Sequence, residues 1–507
     1  MRPVNVLLIN TNRETSPWPV LPLGLSTVAS ALKAKGHAVR FLDLCFVPSP
    51  PEAIHAALMD FPAEAVGVTV RNIDNVSMLG PRFYLDSIRD EVIAPCRSGS
   101  RAPIIIGGSA VGISPAAMMD HFGVDFALAG EGETSMDRWL ECLKMGNRDF
   151  TAIPGLYHRG PDGSIHAPGR VSREPVDGLR HPRPYEWVDY RRYRRRGALA
   201  GIQTKRGCPF ECIYCAYGLI EGCGPRLRDP EDIVDEMEGW NRAVHPPGFD
   251  FVDSVFNHPE AHAVSLCEAI VKRGIRTRLT TMDLNPGPVS EELVAVMRAA
   301  GFSRLMSSPD SASPAMLERL KKNFTVDDLI RAAGRLRAGG LRVFWFFTFG
   351  GPGESPDTIR ETLDFCGRHL PPGDVVLFSI GFRISPGTAL AQIAREEGVV
   401  GPDDALFRPA FYCAPETPPS LILRMIHQAG RSHPGFLTPL DFGIYEGIQR
   451  AFQWVVPFYQ PRSDWTKLPE LNSRLNALGI LPWLRRRHVR AVEAAALARP
   501  AGSKFKV

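Results

Sequence analysis

Gly201–Cys215 reads GIQTKRGCPFECIYC, a strand-like run that breaks at Gly207 into a loop carrying Cys208, Cys212 and Cys215. The spacing is CxxxCxxC. Thiolates are the preferred protein ligands of iron–sulfur clusters, and three of them on a four-iron cubane leave one iron open. Catalytic metal sites keep such a free position, whereas structural zinc sites usually close with a fourth ligand. Cys223 stands eight residues past Cys215 and is the residue that would close a four-cysteine site instead.

Downstream of this loop, strand and helix signals alternate to about Val400. FVDSVFN, TRLTTM, SRLMSS, VFWFFTFG and VVLFSIGFRI read as strands, each separated from the next by a helical segment. This is the pattern of a βα barrel or partial barrel over 199–400. His258 and His262 have i,i+4 spacing, but Pro259 and the lack of a third ligand make them ordinary surface histidines. Residues 401–507 are richer in Pro, Trp and Phe and hold helical pieces such as PSLILRMIHQAG. They are expected to form a mainly helical capping lobe on the substrate side. Tyr412, Trp454 and Trp465 fit its core better than a pocket wall, and Cys413 reads as an inert buried thiol.

Upstream, residues 1–145 alternate strands and helices in the manner of a doubly wound parallel sheet. VNVLLINTN, AVRFLDL, AVGVTV, PIIIGG and VDFALAG are the strands, the last three each running into Gly, Ser or Asn at or just past its end. Open sheets of this kind bind ligands beyond the C-terminal ends of their strands. The candidate ligand loops are therefore 10–23, 71–75, 107–112 and 130–133. Residues 146–198 read as a linker with two short β-like pieces, several prolines and the run RRYRRR at 191–196.

With 507 residues, several domains are expected. The 59 basic and 55 acidic residues leave a formal charge of +4, too near balance to argue for nucleic acid. The two arginine-rich runs, 191–196 and 485–490, read as solvated faces. VNVLLI is too short for a signal peptide, and no stretch approaches the ~20 apolar residues of a membrane span. A cytoplasmic protein without a disulfide framework is expected from ten scattered cysteines.

The cysteine loop resembles the signature of the radical S-adenosylmethionine superfamily, including the aromatic Tyr214 before the third cysteine. LERLKKNFTVDDLIRAAGRLRAGG with VFWFFTFGGPGES, and then RISPGTALAQIAREEG, are similar to the barrel of the subgroup shared with methylthiotransferases. PLGLSTVASALKAKGHAV, VTVRNIDN, PIIIGGSAVGISP and ALAGEGETS resemble, in order, the cobalamin-binding domain of cobalamin-dependent radical enzymes. The resemblance implies a 4Fe-4S cluster on Cys208, Cys212 and Cys215 whose open iron chelates S-adenosylmethionine. It implies Tyr214, Asn257, His258, Ser307, Ser308 and Asp310 as contacts to that cofactor. For cobalamin it implies Asn10, Leu23, Arg71, Asn72, Gly107, Gly108, Ser109, Gly130, Glu131 and Gly132. No Asp-x-His-x-x-Gly segment is present, so a histidine beneath cobalt is not expected, and Arg71 or a neighbour would lie below the corrin.

The implied activity is methyl transfer from methylcobalamin to an unactivated carbon, or a phosphorus, of a small molecule or peptide. An electron donor such as flavodoxin or ferredoxin would serve it. The faces of the two α/β domains should then converge over one substrate. A cobalamin-dependent cyclisation, rearrangement or oxidation is the alternative. Methylthiolation is a further one: such relatives carry three more N-terminal cysteines, and Cys45, Cys96 and Cys142 are present here, but none lies in the loop after the first strand.

Overall fold

In the computed structural model, which describes residues 3–16, 18–171, 173, 183–441 and 468–497, the apolar runs of the first 130 residues become central strands of one sheet. These are β1 (Asn5–Asn10), β2 (Ala38–Asp43), β3 (Ala65–Thr69), β4 (Ile104–Gly107) and β5 (Phe126–Leu128), all parallel in the order β2-β1-β3-β4-β5. Strands buried on both faces read as near-continuous hydrophobic runs, and the packing shows why. Leu7, Ile9, Val66, Val68 and Ile106 face one helical layer, with Ile54, Ile93 and Met118. Val6, Leu8 and Ile105 face the other, with Leu32, Trp139 and Leu140. The sheet is doubly wound, as expected.

The stretch read as a linker corrects that picture. Its two β-like pieces are β6 (Leu156–Arg159) and β7 (Ile165–His166), which extend the same sheet antiparallel beyond β5. A short parallel edge strand is thereby covered by backbone hydrogen bonds rather than left open. The arginine run forms the helix Tyr190–Arg195. Most of it is solvated, but Tyr193 is fully buried and donates to Asp43 at 2.9 Å. Arg192 donates to the Phe46 carbonyl and, with Arg196, lies over the Phe46 ring.

The second unit is built on β8 (Ala200–Ile202), β11 (Phe249–Phe251), β12 (Leu279–Thr281), β13 (Arg304–Asp310), β14 (Arg342–Phe349), β15 (Val375–Ile380) and β18 (Phe436–Leu437). They run parallel in that order as two sheets, joined where Leu279 bridges Phe302 and where Leu284 N donates to Met306 O at 2.8 Å. The result is a partial βα barrel. Two hairpins decorate it: β9 (Lys205–Arg206) with β10 (Arg226–Leu227), and β16 (Phe382–Arg383) with β17 (Phe411–Tyr412). The outer strand faces bury Phe249, Phe251, Leu279, Trp345, Phe347 and Phe378 against helices that supply Trp240, Leu293, Leu329, Ile359 and Ile422.

The C-terminal region departs from a separate capping lobe. β17 and β18 belong to it, and the helix Pro419–Ala429 packs its Ile422 and Ile426 into the barrel core. Because β18 supplies one Phe to the outer layer and one Leu to the inner face, the barrel ends at 437 rather than 400. Helices Leu468–Ala477 and Ile480–Leu497 then bring Leu475 and Leu481 to the inner face, beside Phe344, Val375 and Leu437. Arg485 of the second arginine run is buried in an ion pair with Asp441 at 3.1 Å, so that run is only partly a solvated face. Tyr412 is buried and hydrogen-bonded to Glu397, and Cys413 is buried with its thiol on the Thr417 carbonyl, both as core residues. Trp454 and Trp465 lie outside the described residues.

Candidate active site

The cysteine loop is fixed from below by charges that the fold cannot leave unpaired. Buried Asp253 accepts from Thr204 N (2.7 Å) and Oγ1 (2.6 Å), and buried Lys205 donates to the carbonyls of Phe256 and His258. Gly207 then turns the chain with a φ of +94°; a Cβ there would sit 2.2 Å from the Gly224 carbonyl oxygen, so only glycine fits. Cys208 N donates to Gly222 O, Gly207 N to Glu221, and Cys215 N to Cys212 O, folding the loop back on itself.

Cys208, Cys212 and Cys215 share one electrostatic environment: burial raises all three thiols, and the charge on Cys212 raises each of the other two. Cys215 is pushed up to about 12. Lys322 opposes this at Cys212 and Cys215. A thiol held neutral by burial is deprotonated outright when it ligates a metal. Among the described residues no three His, Cys, Asp or Glu converge as ligands of a single ion do. Three soft donors on one loop fit a cluster. Cys223 is exposed beside Arg173 and Gly218.

Next to Cys212 lies a polar group drawn from four elements. Tyr214 donates to Asp310, and its ring leans on Phe382 at 5.0 Å between centroids. Lys322 pairs with Asp310 at 2.8 Å and donates to Ser308 O. Asp310 itself takes a φ of +64° at the end of β13, strain that Tyr214, Lys322 and the Thr348 hydroxyl hold in place. Ser308 N donates to Asp283, whose carboxyl burial lifts to about 7 against the pull of Lys322. Tyr214, Ser308 and Asp310 are therefore brought together, and His258 stands nearby with its ring 5.0 Å from that of Phe210 in the cysteine loop.

Asn257 and Ser307 are not part of this group. Asn257 has no exposed surface; its amide donates to Asn285 O and Pro288 O and accepts from Asn285 N, tying two strand-end loops together. Ser307 is likewise closed off and donates to Leu284 O at 2.6 Å. His262 is not a surface residue: it is buried with Nε2 2.8 Å from the Arg228 carbonyl. Asp283, Lys322 and Phe382 went unremarked as site residues, although Lys322 lies inside the quoted LERLKKNF segment.

The N-terminal loops face this loop across the domain boundary. Arg71 is exposed after β3, close to Tyr217 and Tyr84, with Asn72 against it and Ser109 Oγ bonded to its carbonyl at 2.7 Å. A Cβ on Gly112 would lie 4.0 Å from Ile220. Glu131 and Glu133, from the Gly130–Gly132 turn, pair with Arg206 at 3.3 and 2.6 Å, and Glu131 also pairs with Arg226. Glu131 is thus committed to the barrel. Asn10 is buried and spent on Asp43 and Asn12, and Leu23 packs against Gly201 of β8. The loops at 71–72, 107–112 and 130–132 remain as one surface able to hold a broad, flat ring, with no histidine in any of them.

Gly108 makes that surface possible. Its φ is +102°, and a Cβ would lie 2.7 Å from both Val70 O and Thr69 Oγ1. Gly108→Ala is expected to separate the 69–71 and 107–110 loops, at about 1–2 kcal/mol for the backbone alone. Cobalt per protein after reconstitution and gel filtration should fall severalfold while iron per protein stays at the wild-type value, both read by elemental analysis.

Fold and site together define a two-domain enzyme in which a corrin-binding sheet is clamped over a three-cysteine radical barrel. The comparisons agree. Residues 11–140 match the B12 binding domain family, and 202–366 match the Radical SAM superfamily. Tryptophan 2-C-methyltransferase of Streptomyces laurentii is 29% identical over 463 residues, covering 78% of this chain and 75% of that one. The radical S-adenosylmethionine methyltransferase TsrM from Kitasatospora setae, solved with tryptophan and an S-adenosylmethionine analogue, matches with a TM-score of 0.74 and 26% identity over 86% and 90% of the chains. A second structure of TsrM, with cobalamin and a [4Fe-4S] cluster, shares the fold over 98% and 100% of the chains, with a TM-score of 0.78 and 23% identity. The chain thus joins a B12 binding domain to a radical S-adenosylmethionine domain, the domain pair of cobalamin-dependent radical enzymes. The matched domains are those that use S-adenosylmethionine and cobalamin.

Proposed function

We propose that the enzyme methylates an unactivated carbon of a small molecule, using S-adenosylmethionine as methyl source and cobalamin as carrier. The observation that carries this reading is the convergence of the two domains. The loops after β3, β4 and β5 meet the cysteine loop at Tyr217, Ile220, Arg206 and Arg226, so both cofactor surfaces border one space. When bound, the cluster supplies an electron to S-adenosylmethionine and cobalamin supplies a transferable methyl group.

The chain's own residues do the positioning. Lys322 favours the thiolate at Cys212 and Cys215 and holds Asp310 and the Ser308 carbonyl; Asp310 in turn fixes the Tyr214 ring. Arg71, from the loop after β3, would help to hold cobalamin and would present a cation to it rather than an imidazole. Phe382 and Tyr214 supply a flat apolar wall beside the cluster. The electron arrives from a flavodoxin or ferredoxin in the cytoplasm. Among the described residues no helix is long and apolar enough to cross a membrane.

The test is anaerobic turnover with S-adenosylmethionine carrying a deuterated methyl group. S-adenosylhomocysteine release, with cobalamin and the cluster both loaded, is the expected result, and mass spectrometry should find the deuterated methyl on the product. Release of 5′-deoxyadenosine and methionine with no S-adenosylhomocysteine would instead favour cyclisation or oxidation.

A further inference from the structure

The outer faces of the barrel strands are closed, whereas the inner faces are closed only in part, at Phe344, Val375 and Leu437. Phe249, Phe251, Leu279 and Thr281 have no exposed surface. The residues that alternate with them, Asp250, Val252 and Thr280, are partly open, and Met282 is 38% exposed. Phe346, Thr348, Leu377 and Ser379 repeat the pattern across the barrel. Side chains alternate along a strand, so these residues share the interior, and that interior holds space.

One carboxylate in it has an oxygen without a partner. Asp250 lies between Gly201 and Thr280 in register, with no side chain on the Gly201 side. Its Oδ1 is buried and has no hydrogen-bond partner among the described residues. Besides burial, the one influence acting on its titration is Asp253, a charge of the same sign; together they raise the carboxyl to about 7. Asp253 is itself spent on Thr204 and Lys205. A buried polar atom without a partner calls for an explanation, and a carboxylate does so most strongly. Elsewhere on the inner faces Phe344 stacks on Phe346 at 4.7 Å, and Trp18 packs against the same cluster from the loop after β1. Leu23 covers Gly201 beside the carboxylate, so the N-terminal domain helps wall the space.

We propose that Asp250 is the docking point for a protonated amine of the substrate, and that the substrate is a small molecule with one basic nitrogen on an aromatic or apolar body. This deepens the methyl-transfer reading and rests on it for the identity of the site. The ammonium supplies the missing hydrogen bond and the missing counter-charge, while the aromatic inner face takes the body.

The test uses the reconstituted holoenzyme under anaerobic conditions, with tryptamine and 3-ethylindole as probes that differ by the amine. Isothermal titration calorimetry should show tryptamine binding at least ten-fold more tightly than 3-ethylindole. Asp250→Asn should remove that preference, and Asp250→Glu should restore part of it. Cobalamin and cluster absorbance establish that each variant is loaded. Equal binding of the two probes, failure of both to bind, or an unchanged preference in Asp250→Asn would overturn the proposal. S-adenosylhomocysteine release without substrate is read in parallel. Its absence from the wild-type holoenzyme would sink the methyl-transfer reading rather than the amine site.

Discussion

Alanine at Cys208, Cys212 or Cys215 yields a protein that still binds cobalamin but returns almost no iron after anaerobic reconstitution. Each thiol attaches one iron, and a cubane held by two protein ligands is exposed to solvent on half its corners. Loss of the cluster should be complete at any of the three positions rather than graded. The electron paramagnetic resonance signal of the reduced cluster should disappear, and S-adenosylmethionine should no longer be cleaved. Cys223→Ala is the control. Cys223 is exposed, so its removal should leave iron content, the spectrum and turnover at wild-type values. If Cys223→Ala lost iron as the other three do, the loop would be a closed four-cysteine site with no open iron, and the whole radical reading would fall. Cobalamin retention in the three alanine variants checks that the N-terminal sheet, with its own two-faced core, folds independently of the cluster.

The part of this molecule that was legible in the sequence is the part governed by local chemistry. CxxxCxxC specifies ligand number and loop placement within eight residues. VNVLLI, AVGVTV and PIIIGG announce strands buried on both sides because nothing polar interrupts them. Positive φ at Gly108 and Gly130 follows from glycine standing at strand ends that must turn sharply. Tertiary pairing decides the rest. Asn257 and Ser307 look like cofactor contacts in a linear motif, yet backbone carbonyls about thirty and twenty residues away consume them. GLYHR and SIHAPGR are too short and polar to declare a sheet, and only the free edge of β5 recruits them. Asp250 sits in Phe-Asp-Phe, whose alternation was readable, but its solitude depends on which charges the other strands bring round, and no spacing rule reports that. Asp74 and Arg383, 309 residues apart and both buried, form a 2.8 Å pair between the domains that has no local signal at all.

Arg206→Met should do more damage than any other single change at the domain boundary. Arg206 is buried between Glu131 and Glu133, with the three side chains about one-tenth exposed, and it directly precedes the turn into the cysteine loop. Burial alone would depress its charged form, but the two carboxylates outweigh that and hold the guanidinium above its ordinary value. Removing one member of a buried ion pair costs about 3–5 kcal/mol, chiefly because the remaining charge is left without compensation. Here Arg226 still serves Glu131, so Glu133 is the group stranded. Arg206→Met should therefore open the boundary to limited proteolysis and lower the cobalamin retained. Methyl transfer should fall further than S-adenosylmethionine cleavage does, by about 100-fold if the two cofactor surfaces part by roughly 1 Å. Adding Glu133→Gln to Arg206→Met removes the stranded charge, and should recover protease resistance without recovering methyl transfer. That separation is the informative result, since a clamp that served stability alone would return both together. Arg206→Lys should sit between, because one ammonium cannot span two carboxylates as the guanidinium fork does.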